Sequence, residues 1–192
     1  SVSVAVWYDG GSKDDPAGRS GFAHLFEHLM FKSTANMPPE TFDRLTEDAG
    51  GFNNASTWND FTNYYETVPA NHLERVLWGE ADRMGSLVVD EANFKSERDV
   101  VKEEFRQSVL SQPYGRLFYL YLSQSGFDVH PYGRPGIGSI ADLDAATVQV
   151  DGRAQFPQRQ RRALDVPAGT AGAPQRVPRR LVLGRRLPEH EV

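Results

Sequence analysis

The stretch AHLFEHLMF, residues 23–31, carries two histidines and a glutamate in an otherwise apolar segment. On a helix, which advances about 100° per residue, His24, Glu27 and His28 lie on one side. Two imidazoles one turn apart can bind the same small cation, and a carboxylate beside them can take a proton from a water molecule activated by that cation. The spacing therefore predicts a metal site and a general base on a single helix.

The other side of this helix is apolar. Four residues recur at the i, i+3, i+4, i+7 spacing of a core-facing helix surface: Phe22, Leu25, Phe26 and Leu29. Ser20 has a hydroxyl that can cap a helix N-terminus, so we predict a helix over about residues 21–32 with Ser20 as its N-cap. One face of the helix would then serve the core and the other the metal.

The order H-x-x-E-H is the inverzincin arrangement, and the sequence here resembles the M16 metallopeptidases, the pitrilysin and insulinase family. The resemblance covers roughly residues 1–150. In that family the third zinc ligand is a glutamate in a later helix with a pattern like E-R-x-V-V-x-x-E, which ERDVVKEE at 97–104 matches. The resemblance implies that Glu104 is that ligand, completing a site for one Zn²⁺ per chain.

Two adjacent glutamates of this second motif are candidates for the third ligand. Glu103 is adjacent to Glu104, but helical geometry places Glu97 and Glu104 on one face and Glu103 about 100° away, so we prefer Glu104. Glu97 matches a second acidic position of the family that supports the site, and we group it with Glu27 as a catalytic residue.

A third match is FNNASTWNDFTNYYETV, residues 52–68, which looks like the family's G-x-x-N-A-x-T segment followed by T-x-Y. In the family the Asn-Ala strand is an edge to which peptide substrates add as a further strand. The resemblance implies that Asn54, Ala55 and Ser56 bind substrate. HPYGRPGIGS, residues 130–139, also resembles a family segment, where we expect His130 and Tyr132 to be structural.

The elements that must position these residues mix strands and helices. SVSVAVWY at the start predicts a half-buried strand, residues 52–68 predict a hairpin turning at Asn59-Asp60, and the residues between 69 and 111 predict two helices, the second capped by Asp90. We also predict a buried helix over the apolar residues 114–127. The fold class predicted is α+β, a mixed or antiparallel sheet packed against helices.

Composition divides the chain near Val150. Residues 1–150 carry a net charge of −10 and residues 151–192 a net charge of +5, the latter with nine Arg, no Lys and five Pro. We predict an incomplete M16-like zinc peptidase domain over 1–150, and over 151–192 an Arg/Pro-rich tail that is disordered or the product of a shifted reading frame. A basic tail that binds nucleic acid or anionic lipid is the functional alternative.

Several function classes are disfavoured. The overall charge of −5 gives no reason to expect nucleic acid, and no stretch approaches the roughly 20 apolar residues of a membrane span. The absence of cysteine sets aside the S-ribosylhomocysteine lyases, which place H-x-x-E-H on a related fold but rely on cysteine. The resemblance suggests a bacterial periplasmic or envelope location.

We therefore predict a zinc-dependent metalloendopeptidase that hydrolyses unfolded peptides with metal-activated water. The alternative is an inactive or partner-dependent M16-like subunit that binds zinc without turnover. M16 enzymes enclose the substrate between two homologous domains, so the resemblance implies a second M16-like domain or subunit as partner. For the isolated chain we expect little or no peptidase activity.

Overall fold

The computed structural model describes residues 1–148, so the predicted Arg/Pro-rich tail lies outside the described residues. The strands are β1 (Val2–Tyr8), β2 (Ser33–Thr34), β3 (Phe52–Thr57), β4 (Thr62–Val68) and β5 (Leu87–Val88). The helices are α1 (Phe22–Leu29), α2 (Thr41–Glu47), α3 (Leu73–Ser86), α4 (Glu91–Phe105), α5 (Leu122–Gly126) and α6 (Ile140–Asp144). The predicted α+β class is confirmed.

An antiparallel sheet in the order β1-β4-β3 forms one layer, with β2 and β5 paired separately. Alternate residues of β1 and β4 point into the core, which is why Val2, Val4 and Val6 recur at every second position of β1. The predicted hairpin is confirmed as β3 and β4. Because β3 pairs on one side only, it is an edge strand among the described residues.

Helix α1 is buried on two flanks. Phe26 and Met30 pack in a cluster with the side chains of β1, β4 and α3, whereas Phe22, Leu25 and Leu29 pack against α4 and the region around α6. The helix is thus held between the sheet and α4. Its polar residues are confined to the strip that remains.

The start of α1 differs from the prediction. Its N-cap is Gly21, whose φ of 92° lies in the left-handed region that glycine tolerates, and the helix ends at Leu29. Ser20 does not cap it, because the Ser20 hydroxyl donates to the Asp142 carboxylate at 2.6 Å. The backbone N–H groups of the first turn are bound by a different residue, Asp15, described below.

The segment 114–127 also departs from the prediction. It contains a π-helical turn, Leu117–Tyr121, followed by α5, but its side chains are not buried: Phe118 is 65% exposed and Leu122 61%. The prediction of a buried helix was wrong about burial, since apolar composition alone does not provide an element to cover it.

A buried charged residue ties α3 to the sheet. The Arg83 guanidinium lies 4.1 Å from the Phe42 ring centre and 4.3 Å from that of Tyr64, and it contacts the carboxylates of Glu80 and Glu66. Burial and the neighbouring Glu80 raise the pKa of Glu66. No helix among residues 1–148 is long and apolar enough to cross a membrane.

Candidate metal centre

The three predicted metal ligands converge from two helices. His24 and His28 project from successive turns of α1, and Glu104 comes from the last turn of α4. The Nε2 atoms of the histidines are 3.3 Å apart, and Glu104 Oε2 lies 3.5 Å from His24 Nε2 and 3.4 Å from His28 Nε2. The three atoms form a nearly equilateral triangle.

This triangle has the size that zinc requires. Tetrahedral zinc with bonds of roughly 2.0–2.1 Å to nitrogen and oxygen places its ligand atoms about 3.4 Å apart. All three measured separations agree with that value within about 0.1 Å. Two imidazoles and one carboxylate also form a donor set typical of catalytic zinc, which leaves a fourth position for water. The residues present therefore fit the metal.

The two imidazoles differ in their surroundings. Burial, followed by the nearby His28, lowers the pKa of His24 well below its usual range. Burial also lowers the pKa of His28, but hydrogen bonds with Glu104 and Glu97 outweigh it and raise that pKa to about 9. Without a metal these surroundings favour the protonated, cationic form at His28 over His24. Metal binding would have to release this proton, because only the neutral ring donates to a cation.

Glu97 contacts the outer side of His28. Its Oε2 lies 3.5 Å from His28 Nδ1, and its Oε1 accepts from Lys32 Nζ at 2.7 Å. A carboxylate on Nδ1 fixes the tautomer that leaves Nε2 free for a metal. The structure therefore places Glu97 where it can orient a ligand. Its assignment as a catalytic residue stays a prediction.

Glu27 is held by a residue from the edge strand. The Thr57 hydroxyl, at the end of β3, donates to Glu27 Oε2 at 2.5 Å. Burial raises the pKa of Glu27 while this hydrogen bond opposes the rise. A partly desolvated carboxylate with a raised pKa suits a general base. The sequence placed Thr57 in the family motif but gave no indication of this contact.

The substrate-binding prediction concerns the free edge of β3. The Trp58 N–H donates to the Phe61 carbonyl at 2.8 Å, so by the alternation of an antiparallel ladder Ser56 and Asn54 also direct their backbone groups at β4. Ala55 directs its backbone to the open edge, where its N–H donates to the Asn54 side-chain oxygen at 2.8 Å. Of the three predicted residues, Ala55 is thus the one whose backbone an added strand could bind.

Glu103 and the loop residues lie away from this centre. The Glu103 carboxylate is exposed and accepts from Arg106 at 3.1 Å and Gln107 at 3.3 Å. The Tyr132 hydroxyl donates to Asp60 at 2.6 Å, and the His130 ring accepts from the Tyr132 backbone N–H at 3.2 Å. These contacts agree with the preference for Glu104 and with a structural role for the loop residues.

Comparison with known proteins identifies the family. The model of the insulinase family, peptidase family M16, matches residues 1–138. The chain belongs to this family. A relative named zinc protease PqqE, from Helicobacter pylori, is 37% identical over 148 residues, which is 77% of this chain and 33% of that protein. A probable mitochondrial-processing peptidase subunit beta from Arabidopsis thaliana is 30% identical over 147 residues, 77% of this chain and 27% of that one.

Solved structures agree on the fold. The crystal structure of a protease from Helicobacter pylori matches with a TM-score of 0.72 at 37% identity, covering 77% of this chain and 35% of that one. Pitrilysin matches with a TM-score of 0.66 at 22% identity, covering 84% and 16%, and this likeness concerns the fold. The chain spans about a third or less of the length of these M16 relatives.

Proposed function

We propose that this chain carries the zinc-binding part of the active site of a metalloendopeptidase, with His24, His28 and Glu104 as the metal ligands. The observation that carries the proposal is the triangle of 3.3–3.5 Å between their ligand atoms. The family membership supports it, since relatives bear the name zinc protease. Bound zinc would supply Lewis acidity toward a water molecule and a peptide carbonyl.

Glu27 is the general base in this proposal. Its carboxylate takes a proton from the attacking water and returns it to the leaving amine, which the raised pKa caused by burial favours. Thr57 holds Oε2, so that the other oxygen, Oε1, is the one that handles the proton. Glu97 keeps His28 in the tautomer that presents Nε2 to the metal.

The peptide binds in this proposal as an added strand along β3. Ala55 offers its outward backbone carbonyl, and its N–H would exchange the Asn54 side-chain oxygen for a peptide carbonyl, with Ser56 beside it. Backbone pairing of this kind requires an extended substrate and depends little on its side chains. Since β3 ends at Thr57, which contacts Glu27, a strand added there would run past the general base. The substrate class proposed is therefore unfolded peptide.

The proposal includes a second M16-like domain or subunit as a partner that speeds the turnover, which the isolated chain performs only slowly. The chain matches only about a third of its relatives, and one relative is named as a subunit of a peptidase. The described site is also open, with Glu104 partly exposed. A second domain would cover the bound peptide and exclude water.

The test compares the wild-type chain with Glu27→Gln. Zinc content is measured by metal analysis after dialysis, and cleavage of an unstructured fluorogenic peptide is followed at high protein concentration, with and without a chelator. We expect one zinc in each protein and slow, chelator-sensitive cleavage by the wild type alone. Zinc binding without turnover by either protein would favour the partner-dependent alternative. A wild-type chain that binds no zinc would refute the site.

A further inference from the structure

The first turn of α1 is capped by a residue outside the helix. The N-cap, Gly21, has no side chain to bind the free N–H groups of that turn. Asp15 replaces it: its two carboxylate oxygens accept from the backbone N–H of Gly21 at 2.8 Å and of Ala23 at 2.9 Å. Asp15 is only 2% exposed, so this contact lies inside the protein.

Asp15 is itself fixed by a distant segment. The Arg134 guanidinium donates to the backbone carbonyls of Asp15 and Lys13, the latter at 2.8 Å. Beside this contact, Gly21 and Gly138 approach so closely that a Cβ on Gly21 would lie 2.7 Å from the Gly138 Cα. The loop of residues 130–139 therefore locks Asp15 and the start of α1 together.

His24 depends on this turn more than His28 does. His28 is oriented through its Nδ1 atom by Glu97. His24 Nδ1 is buried and has no hydrogen-bond partner among the residues that the structure describes. Since no side chain orients its ring through Nδ1, as Glu97 does for His28, the position of His24 depends more on the backbone of the first turn. Asp15 holds that backbone at Ala23, the residue immediately before His24.

Capping a helix in the protein interior with a carboxylate requires the burial of a charge, which costs free energy. Burial raises the pKa of Asp15 to about 7, although the backbone N–H groups and Arg134 oppose the rise. The ionised form therefore lowers the stability of the fold. Serine or asparagine would cap a helix without a buried charge. A carboxylate whose two oxygens bind the N–H groups of Gly21 and Ala23 instead defines the geometry of the turn.

We propose that Asp15 is a positioning residue of the metal site, which sets the place of His24 by fixing the first turn of α1. The inference rests on the proposed zinc function. It predicts that loss of one carboxylate oxygen weakens metal binding about tenfold, the lower end of the effect seen when groups that orient metal ligands are removed.

The test uses Asp15→Asn, whose amide NH₂ faces one of the two backbone donors. Zinc affinity is measured at pH 8 by competition with a chromophoric chelator, and the visible spectrum of the Co²⁺-substituted protein reports the ligand geometry. Asp14→Asn is the matched control, since the Asp14 carboxylate accepts from the Gly11 N–H in the same loop, whereas the hydrogen bonds to the first turn of α1 come from Asp15. Val76→Ala controls for general destabilisation, because Val76 is fully buried against the sheet.

We expect Asp15→Asn to bind zinc about tenfold more weakly and to change the Co²⁺ spectrum, with faster amide exchange confined to the first turn of α1. Asp14→Asn and Val76→Ala should keep both the affinity and the spectrum. Wild-type affinity and spectrum in Asp15→Asn would overturn the inference and leave the zinc function standing. A wild-type chain that binds neither metal would overturn both.

Discussion

Replacing Glu104 by Gln tests the third ligand directly, and Glu103 provides a neighbouring control. Glu104 Oε2 lies 3.4–3.5 Å from both histidine nitrogens, whereas Glu103 is held by Arg106 on the exposed side of α4. Loss of a group that merely orients a ligand costs about 10- to 100-fold in metal affinity. Loss of a ligand should therefore cost at least about 100-fold.

The magnitude can be converted to a melting temperature. Zinc at about 1,000 times its dissociation constant stabilises the folded state by about 4.1 kcal/mol, and after a 100-fold loss of affinity the same concentration gives only about 1.4 kcal/mol. The unfolding entropy of a unit of this size is roughly 0.3 kcal/mol per kelvin. The zinc-dependent rise in Tm should thus be about 9 °C smaller in Glu104→Gln than in the wild type.

The assay is thermal unfolding followed by circular dichroism, with zinc present and after removal by a chelator. Glu103→Gln should keep the wild-type response to zinc. Loss of the zinc response in Glu103→Gln with retention in Glu104→Gln would show that the two acids were assigned the wrong way round. A zinc-dependent rise in Tm as large as that of the wild type in both variants would refute a carboxylate ligand at this end of α4.

Three further outcomes follow from contacts described above. Thr57→Val removes the hydroxyl that donates to Glu27, a hydrogen bond to a charged group worth about 1.5–3 kcal/mol. Turnover should therefore fall at least about tenfold, with zinc affinity unchanged, and should recover in Thr57→Ser. No recovery in Thr57→Ser would contradict the role of the hydroxyl. Arg83→Met removes the cation from a buried ionic cluster and should lower the free energy of unfolding, measured by urea titration, by about 3–5 kcal/mol. The exposed Arg75→Met should change it little. Similar losses in the two variants would refute a stabilising role of the buried cluster. The Asp15 carboxyl has a pKa near 4 in the unfolded chain and of about 7 in the folded protein. As pH rises from 4 to 7, the free energy of unfolding of the wild type should therefore fall relative to that of Asp15→Asn, by up to roughly 4 kcal/mol. Parallel stability curves for the two proteins would refute the raised pKa of Asp15.

Much of the centre could be predicted from local spacing. His24, Glu27 and His28 lie within five residues of one helix, so helical periodicity alone places them together. Glu104 required the family resemblance to be chosen, and helical geometry then separated it from Glu103. The fold class followed from the alternation in β1, from the turn between β3 and β4 and from the interleaving of strand and helix patterns.

The remaining parts depend on contacts between distant segments. Asp15 stands in a loop rich in turn residues, where an acid is ordinarily exposed, and its burial results from the packing of residues 130–139 against that loop. Ser20 has the type and position of a helix cap but binds Asp142 instead. The exposure of residues 114–127 could not be predicted because apolar character indicates a preference for burial, not the presence of a covering element.

The packing of α1 on two flanks limits how the protein can be changed. Because the sheet and α4 leave a single strip of this helix accessible, inserting or deleting one residue between Gly21 and Leu29 would rotate the downstream ligands by about 100°, into apolar surroundings. Length changes in this segment should therefore be far more damaging than substitutions. Labels or linkers should instead be inserted in exposed turns. The turn at Asn59-Asp60 is suitable only if the contacts of Asp60 with Lys13 and Tyr132 are kept.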